Sequence, residues 1–175
     1  RNSRHERRTK ELILSVLPDA SVSLSVDIAP EIREYWRSST TVTNAYIAPA
    51  VTNYLEKVEK RLTANNILIK PHIMQSSGGL MAIDHAKEKP VLLLESGPAA
   101  GVIAGAFFAE VAGFKDVITF DMGGTTAKMG LVIGGQPRLE PEFEAGGLSG
   151  TGAGLSTASG YPILAPTIDL VEVGA

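Results

Sequence analysis

Two short apolar runs, residues 117–120 and 129–133, flank Asp121-Met122-Gly123-Gly124-Thr125-Thr126, and this arrangement limits the fold more than any other stretch of the 175 residues. Apolar runs of that length bounded by glycines read as strands. The second run is closed by another glycine pair, Gly134-Gly135, so the segment predicts a hairpin followed by a second tight reversal. Consecutive glycines can reach positive φ and leave room for a bulky anion. Their N–H groups can converge on a phosphate, and Thr125 and Thr126 add hydroxyl donors. Asp121 would repel a phosphate directly. It fits the turn chemically if it holds a hydrated Mg²⁺, which keeps several waters and bridges to phosphate oxygens. The competing reading is a tight turn whose Asp satisfies local N–H groups. The pattern is neither a P-loop nor a dinucleotide fingerprint: there is no G-x-x-x-x-G-K-[ST], and the glycines of residues 97–105 have the wrong spacing.

Around this hairpin the chain alternates helices and strands, the mark of α/β layering. A first helix is expected after Ser3, whose spacing to Glu6 is that of a capping box, with Leu12, Ile13, Val16 and Leu17 on one face. Residues 22–26 alternate apolar and polar and predict a half-buried strand. A second helix is expected over residues 42–62, with Tyr46, Val51, Tyr54, Leu55, Val58 and Leu62 as its apolar stripe. Pro49 either kinks that helix or marks its first turn. Short strands are expected at 67–69, continuing toward Ile73-Met74, and at 91–94, with Ser76-Ser77-Gly78-Gly79 between them either lining a cleft near a nucleotide or serving as a plain loop. Ser96-Gly97-Pro98 opens a third helix running to about residue 112, with Gly113 beyond its end. There, Ser96 and Gly97 either cap the helix or present its N-terminal N–H groups to an anion. Residues 144–162 are rich in Gly, Ser and Thr and read as a long flexible loop. A last strand is expected at 167–173, and the sheet as a whole is expected to be mixed and flanked by helices.

Composition narrows the function classes. With 44% hydrophobic and 20% charged residues and a net charge of -3, the chain is an ordinary globular one with no general attraction to nucleic acid. The basic residues Arg1, Arg4, Arg7, Arg8 and Lys10 are a solvated helix face, and Glu140, Glu142 and Glu144 a solvated edge. The absence of cysteine excludes disulfides and thiolate metal sites and fits a reducing cytosol. His5, His72 and His85 lack metal-ligand spacing. No apolar run approaches the roughly 20 residues that cross a bilayer. A cytoplasmic protein without membrane association is therefore expected.

Five ordered stretches carry a resemblance. Ile118-Thr119-Phe120-Asp121-Met122-Gly123-Gly124-Thr125-Thr126-Ala127-Lys128 resembles the second phosphate loop of the hydantoinase/oxoprolinase family. Arg33-Glu34-Tyr35 with Ser39-Thr40-Thr41-Val42-Thr43-Asn44-Ala45-Tyr46 resembles its REY…STTxxNAY signature. Met74-Gln75-Ser76-Ser77-Gly78-Gly79-Leu80-Met81 is similar to its MQSSGGLM loop. Leu94-Glu95-Ser96-Gly97-Pro98-Ala99-Ala100-Gly101 is similar to its LxSGPAAG turn, and Glu172-Val173-Gly174-Ala175 to the start of its EVGAGGGS loop.

The resemblance implies an actin-like, ribonuclease-H-like ATPase fold, present here as a partial domain. Residues 1–66 are expected to be its helical N-terminal part, and 67–175 the α/β part with the second phosphate loop. It further implies ATP and Mg²⁺ as cofactors, a cyclic amide of the hydantoin or 5-oxoproline type as substrate, and a partner subunit of the hydantoinase B type. The implied ligands are Asp121 for the metal, and Gly123, Gly124, Thr125 and Thr126 for phosphates. Ala127-Lys128 stands where many members carry an acidic residue. That variant is associated with hydantoinase- and carboxylase-like members and speaks against 5-oxoprolinase itself; the expected type is N-methylhydantoinase A, and Lys128 is either a phosphate ligand or a solvated lysine. Two alternatives remain: part of a ketone carboxylase of the acetone or acetophenone type, and a non-catalytic nucleotide-binding fragment. The family's first loop, DxGGTFTD, has no counterpart here, and the chain opens without methionine. An internal fragment, inactive alone, is therefore expected.

Overall fold

A computed structural model describes residues 2–146 and 160–174. In chain order the elements are α1 (Arg4–Val16), α2 (Ser25–Ile28), α3 (Glu34–Ala64), β1 (His72–Met74), β2 (Leu80–Ala82), α4 (Ile83–Glu88), a 3₁₀ turn (Pro90–Leu93), α5 (Ser96–Val111), β3 (Val117–Met122), β4 (Thr126–Ile133), β5 (Gln136–Pro137), β6 (Leu139–Glu140), β7 (Phe143–Ala145), β8 (Tyr161–Ile163), β9 (Thr167–Ile168) and β10 (Leu170–Gly174). They form two compact units. The first runs to His72 and takes in Ala82–Val91; the second comprises Ile73–Met81 and the chain from Leu92 onward. Among the described residues no helix is long and apolar enough to cross a membrane.

The first unit is helical, and polar side chains organise it. Helix α3 starts earlier than its apolar pattern suggests and runs through Pro49, so the reading of Pro49 as a first turn fails. Its buried positions are Arg37, Thr40, Asn44, Ala48 and Leu55, at helical spacing on one face. Of the expected stripe, Tyr46 is 84% exposed and Tyr54 65%, whereas Leu55 is buried. Small and hydrogen-bonding residues line this seam, so a count of apolar side chains looks at the wrong face.

Glu6 does not close a capping box, and Ser3 makes no side-chain cap bond. The Glu6 carboxylate instead accepts hydrogen bonds from the Ser25 hydroxyl at 2.9 Å, the Val26 N–H at 3.1 Å and the buried Arg37 guanidinium at 2.9 Å. Burial pushes the Glu6 pKa up, but the bonds from Ser25 and Val26 and the Arg37 charge outweigh it and hold the group below its ordinary value. The same bonds explain why residues 22–26 are not a strand. Glu6 satisfies the first donors of α2 and bends the alternating segment into a helical turn, a side-chain competitor to the sheet ladder.

In the second unit the largest sheet has the order β10-β4-β3, with β5 also on β4. Each of these pairings is antiparallel, where the sequence suggested a mixed sheet. The expected strand at 167–173 is two strands broken at Asp169, whose N–H donates to the Arg138 carbonyl at 2.8 Å. Residues 67–69 form no strand, and residues 91–94 lie largely in the 3₁₀ turn. There the Leu92 carbonyl accepts the N–H of buried Ser76 at 2.8 Å, and the Leu94 carbonyl accepts its hydroxyl. The backbone and hydroxyl of one serine thus take the place of a neighbouring strand. The ends of the expected 144–162 loop pair as β7 and β8, Phe143 opposite Ile163; residues 147–159 lie outside the described residues.

Helix α5 lies against β3 and β4, and two glycines set how closely. A Cβ on Gly105 would fall 2.4 Å from Thr119 Cγ2, and one on Gly130 would fall 2.3 Å from Val102 Cγ2. Ala99, Val102, Val132 and Ile168 form the buried cluster behind this contact. Both obstructing groups are β-branched and stiff, so the contact cannot relax by rotation alone. Gly130→Ala is expected to cost about 1–3 kcal/mol by overpacking, read as a lower urea midpoint. Adding Val102→Ala is expected to recover part of that loss, a non-additivity diagnostic of contact.

Candidate phosphate-binding hairpin

The β3–β4 hairpin places the residues singled out by sequence. Asp121 lies one residue before the end of β3, and the register sets it opposite Lys128 on β4, which in turn sits opposite Glu172 on β10. Residues directly opposite in a sheet share a face. This row therefore points to the side covered by α5, where a Cβ on Gly101 would lie 3.8 Å from Asp121 Oδ2. The other face of β3 carries Ile118, Phe120 and Met122, all exposed.

A cleft of about 240 Å³ runs along the α5 seam, lined among others by Pro98, Gly101, Thr119, Asp121 and Lys128. It opens beside the first turns of α5, where the helix dipole favours negative charge. Ser96 and Gly97 begin that helix but do not line the cleft. Glu95, not Ser96, occupies the N-cap position, at φ 61, and no side-chain cap bond is made there. The open space at Gly97 contains no atom within 4 Å of a built Cβ. The Ser76–Gly79 loop is likewise absent from the cleft lining; Ser76 ties β1, the 3₁₀ turn and β9 together through its bonds to Leu92 and Ile168.

At the hairpin tip Gly123, Gly124 and Thr125 are exposed and Thr126 is half-buried. The expected positive φ is absent from Gly123 and Gly124; it occurs instead at Gly134 and Gly135, φ 59 and 79, in the β4–β5 reversal. The Gly123 N–H donates to the Thr126 carbonyl at 3.0 Å and closes the turn, so it is not a free phosphate donor. The N–H groups of Gly124 and Thr125 have no protein partner among the described residues. Both glycines look onto open space, with nothing within 4 Å of a built Cβ. What the pair provides is clearance rather than unusual backbone torsion.

Charges around the tip are unevenly paired. Lys128 Nζ lies 3.3 Å from a Glu95 carboxylate oxygen and 3.4 Å from one of Glu172. Burial draws its pKa down, but Glu95 and then Glu172 outweigh that and raise it. A solvated lysine is not what this is, and a phosphate would have to compete with two carboxylates for it. The Asp121 carboxylate has no ion pair or hydrogen bond among the described residues. Glu95 and Glu172, which hold Lys128, escaped sequence reasoning as functional groups. The signal for Glu172 was present only in the strand register, which no local pattern encodes.

The residues fit a metal carried in with a nucleotide better than a permanent metal. Among the described residues no three His, Cys, Asp or Glu side chains cluster as a ligand cage. One unpaired carboxylate beside open space suits Mg²⁺, which takes one or two carboxylates and completes its shell with water and phosphate oxygens.

The family model for hydantoinase/oxoprolinase matches residues 37–175. An uncharacterized protein of Methanocaldococcus jannaschii is 45% identical over 175 residues, covering 100% of this chain and 26% of its own. The alpha chain of caprolactamase from Pseudomonas jessenii is 38% identical over 144 residues, covering 82% of this chain and 21% of its own. The crystal structure of the ATP-dependent caprolactamase from that organism matches with a TM-score of 0.73 at 34% identity, over 100% of this chain and 23% of that one. A nucleotide-free acetone carboxylase structure matches with a TM-score of 0.77 at 24% identity, over 99% of this chain and 23% of that one, which speaks to the fold alone. The chain spans about a quarter of the length of the curated relatives it matches. On the family match and these identities together, the chain belongs to the hydantoinase/oxoprolinase family.

Proposed function

We propose that this chain supplies the second phosphate-binding hairpin of an actin-like, ATP-dependent enzyme that opens a cyclic amide, of the N-methylhydantoinase A type. The observation that carries the reading is the unpaired Asp121 carboxylate beside a hairpin tip with open space at both glycines. In this reading Asp121 holds Mg²⁺. The free N–H groups of Gly124 and Thr125 and the hydroxyls of Thr125 and Thr126 meet phosphate oxygens. Gly123 contributes clearance and closes the turn. Ser96 and Gly97 add the positive end of α5, and Lys128 stays outside the phosphate set because Glu95 and Glu172 claim its charge.

Bound Mg-ATP would supply a phosphoryl group to the amide oxygen, which makes the ring carbon more electrophilic and provides a leaving group. The work left to the protein is positioning and charge neutralisation, and the hairpin side chains are suited to both. The relative from Pseudomonas jessenii is one chain, the alpha chain, of a multi-subunit enzyme, which supports a partner of the hydantoinase B type here.

The test is ATP hydrolysis by the full-length natural protein together with its partner, in the presence of hydantoin, 5-oxoproline or caprolactam, against acetone with bicarbonate. Stimulation by a cyclic amide is expected. Stimulation by the ketone and bicarbonate alone would assign a carboxylase instead. Failure of the complex to bind Mg-ATP would overturn the hairpin reading altogether.

A further inference from the structure

An aspartate and a lysine directly opposite on neighbouring antiparallel strands are well placed to pair. Asp121 and Lys128 have this register and do not pair. Lys128 turns instead to Glu95 at 3.3 Å and Glu172 at 3.4 Å, and Asp121 is left without a cation among the described residues. The two carboxylates reach Lys128 from different elements: Glu172 from the opposite neighbouring strand, Glu95 from the residue preceding α5. Glu95 does so from a left-handed backbone conformation, φ 61, which is unfavourable for a residue with a Cβ. Such an outlier points to a constraint on where its side chain must be.

We propose that Glu95 and Glu172 are positioning residues that withhold Lys128 from Asp121, keeping the Asp121 carboxylate open to a divalent cation delivered with a nucleotide. This rests on the reading of Asp121 given above. Without the two glutamates, the carboxylate that the strand register sets opposite Lys128 is that of Asp121. An internal lysine occupying that carboxylate competes with Mg²⁺ without altering the turn. The arrangement also accounts for a lysine being tolerated beside a carboxylate meant for a metal: its charge is balanced elsewhere before the nucleotide arrives.

The test uses the full-length natural protein and two variants, Glu95→Gln with Glu172→Gln, and the same pair with Lys128→Met. Calorimetry measures the affinity for a non-hydrolysable ATP analogue with and without Mg²⁺, and crystal structures without nucleotide locate the Lys128 side chain. In the double variant Lys128 is expected to swing onto Asp121. Affinity for the analogue with Mg²⁺ is then expected to fall about three- to five-fold, the strength of one cross-strand ion pair, while metal-free affinity does not fall. The triple variant is expected to restore the Mg²⁺-dependent affinity, which a merely structural loss would not. A double variant that binds as the unaltered protein does, or a loss that Lys128→Met leaves in place, overturns the proposal. Absence of Mg²⁺-dependent binding in the unaltered protein instead overturns the underlying assignment of Asp121. If the double variant melts early, Glu172→Gln with and without Lys128→Met, which leaves the turn into α5 intact, carries the comparison with a smaller expected fall, because Glu95 still holds part of the ammonium's charge.

Discussion

Asp121→Asn is expected to abolish most of the Mg²⁺-dependent part of nucleotide binding while leaving the fold unchanged. The carboxylate is exposed and has no partner among the described residues, so its neutralisation removes no internal interaction. Surface changes of this kind normally stay within about 0.5 kcal/mol of the parent stability. The functional effect is of another order. Loss of an outer-shell partner of a bound metal costs about 10–100-fold in affinity, and loss of a direct ligand is expected to cost no less. The sign of the metal-free control makes the prediction specific. Asp121 faces the cleft where phosphates would sit, and without a cation it repels them. Asp121→Asn is therefore expected to bind ATP slightly better than the unaltered protein in EDTA and at least about 10-fold worse in excess Mg²⁺. Isothermal titration under both conditions reads the two effects. Equal losses with and without Mg²⁺ would point to a direct hydrogen bond or a distorted turn rather than a metal ligand.

The sequence made the hairpin legible because its signals are local. Apolar runs on either side of a Gly-Gly pair give β3 and β4 their positions, and Gly134-Gly135 gives the second reversal, where both glycines take positive φ. Helix α5 was legible for a similar reason: Ser96-Gly97-Pro98 opens it and Gly113, at φ 82, follows its end. What failed were segments whose conformation is decided by a distant side chain. Residues 22–26 have the alternation of a strand, but Glu6, about twenty residues away, claims their hydroxyl and N–H. Residues 91–94 have the composition of a buried strand, but Ser76 supplies the donors that a strand would have supplied. The pairing of Lys128 belongs to the same class. Glu172 reaches it only because β10 docks on β4 in one register, and no pattern within either strand announces that. The fold of each unit therefore emerges from local periodicity corrected by a few long-range polar contacts, and the charge pattern of the site depends almost wholly on the corrections.

A further long-range polar contact, made by Asn44, supports a second large effect, on stability. Asn44→Ala is expected to destabilise the helical unit by about 3 kcal/mol, several times an average substitution. Asn44 is fully buried on α3. Its amide nitrogen donates to the Ser23 hydroxyl at 3.0 Å and the Glu88 carbonyl at 3.3 Å, and its amide oxygen accepts the Val91 N–H at 3.2 Å. One side chain thus ties the segment before α2, the end of α4 and the start of the 3₁₀ turn to the long helix. Alanine removes all three bonds and leaves the buried Val91 N–H without a partner and the Glu88 carbonyl with one bond fewer, an unsatisfied buried donor costing about 1–3 kcal/mol and each lost bond about 1 kcal/mol. The higher helix propensity of alanine offsets well under 1 kcal/mol of this. Asn44→Asp separates the contributions: it keeps the acceptor for Val91 but brings a charge into a buried site and loses both donations, so it is expected to be no more stable than the alanine variant. Tyr46→Ser, two residues away in the same NAY triplet but 84% exposed, is the control and is expected to change stability by less than about 0.5 kcal/mol. Chemical denaturation of the three variants decides the matter. Comparable losses for Asn44→Ala and Tyr46→Ser would mean that the buried amide does not organise the unit, and that the apolar stripe read from the sequence had been the right face after all.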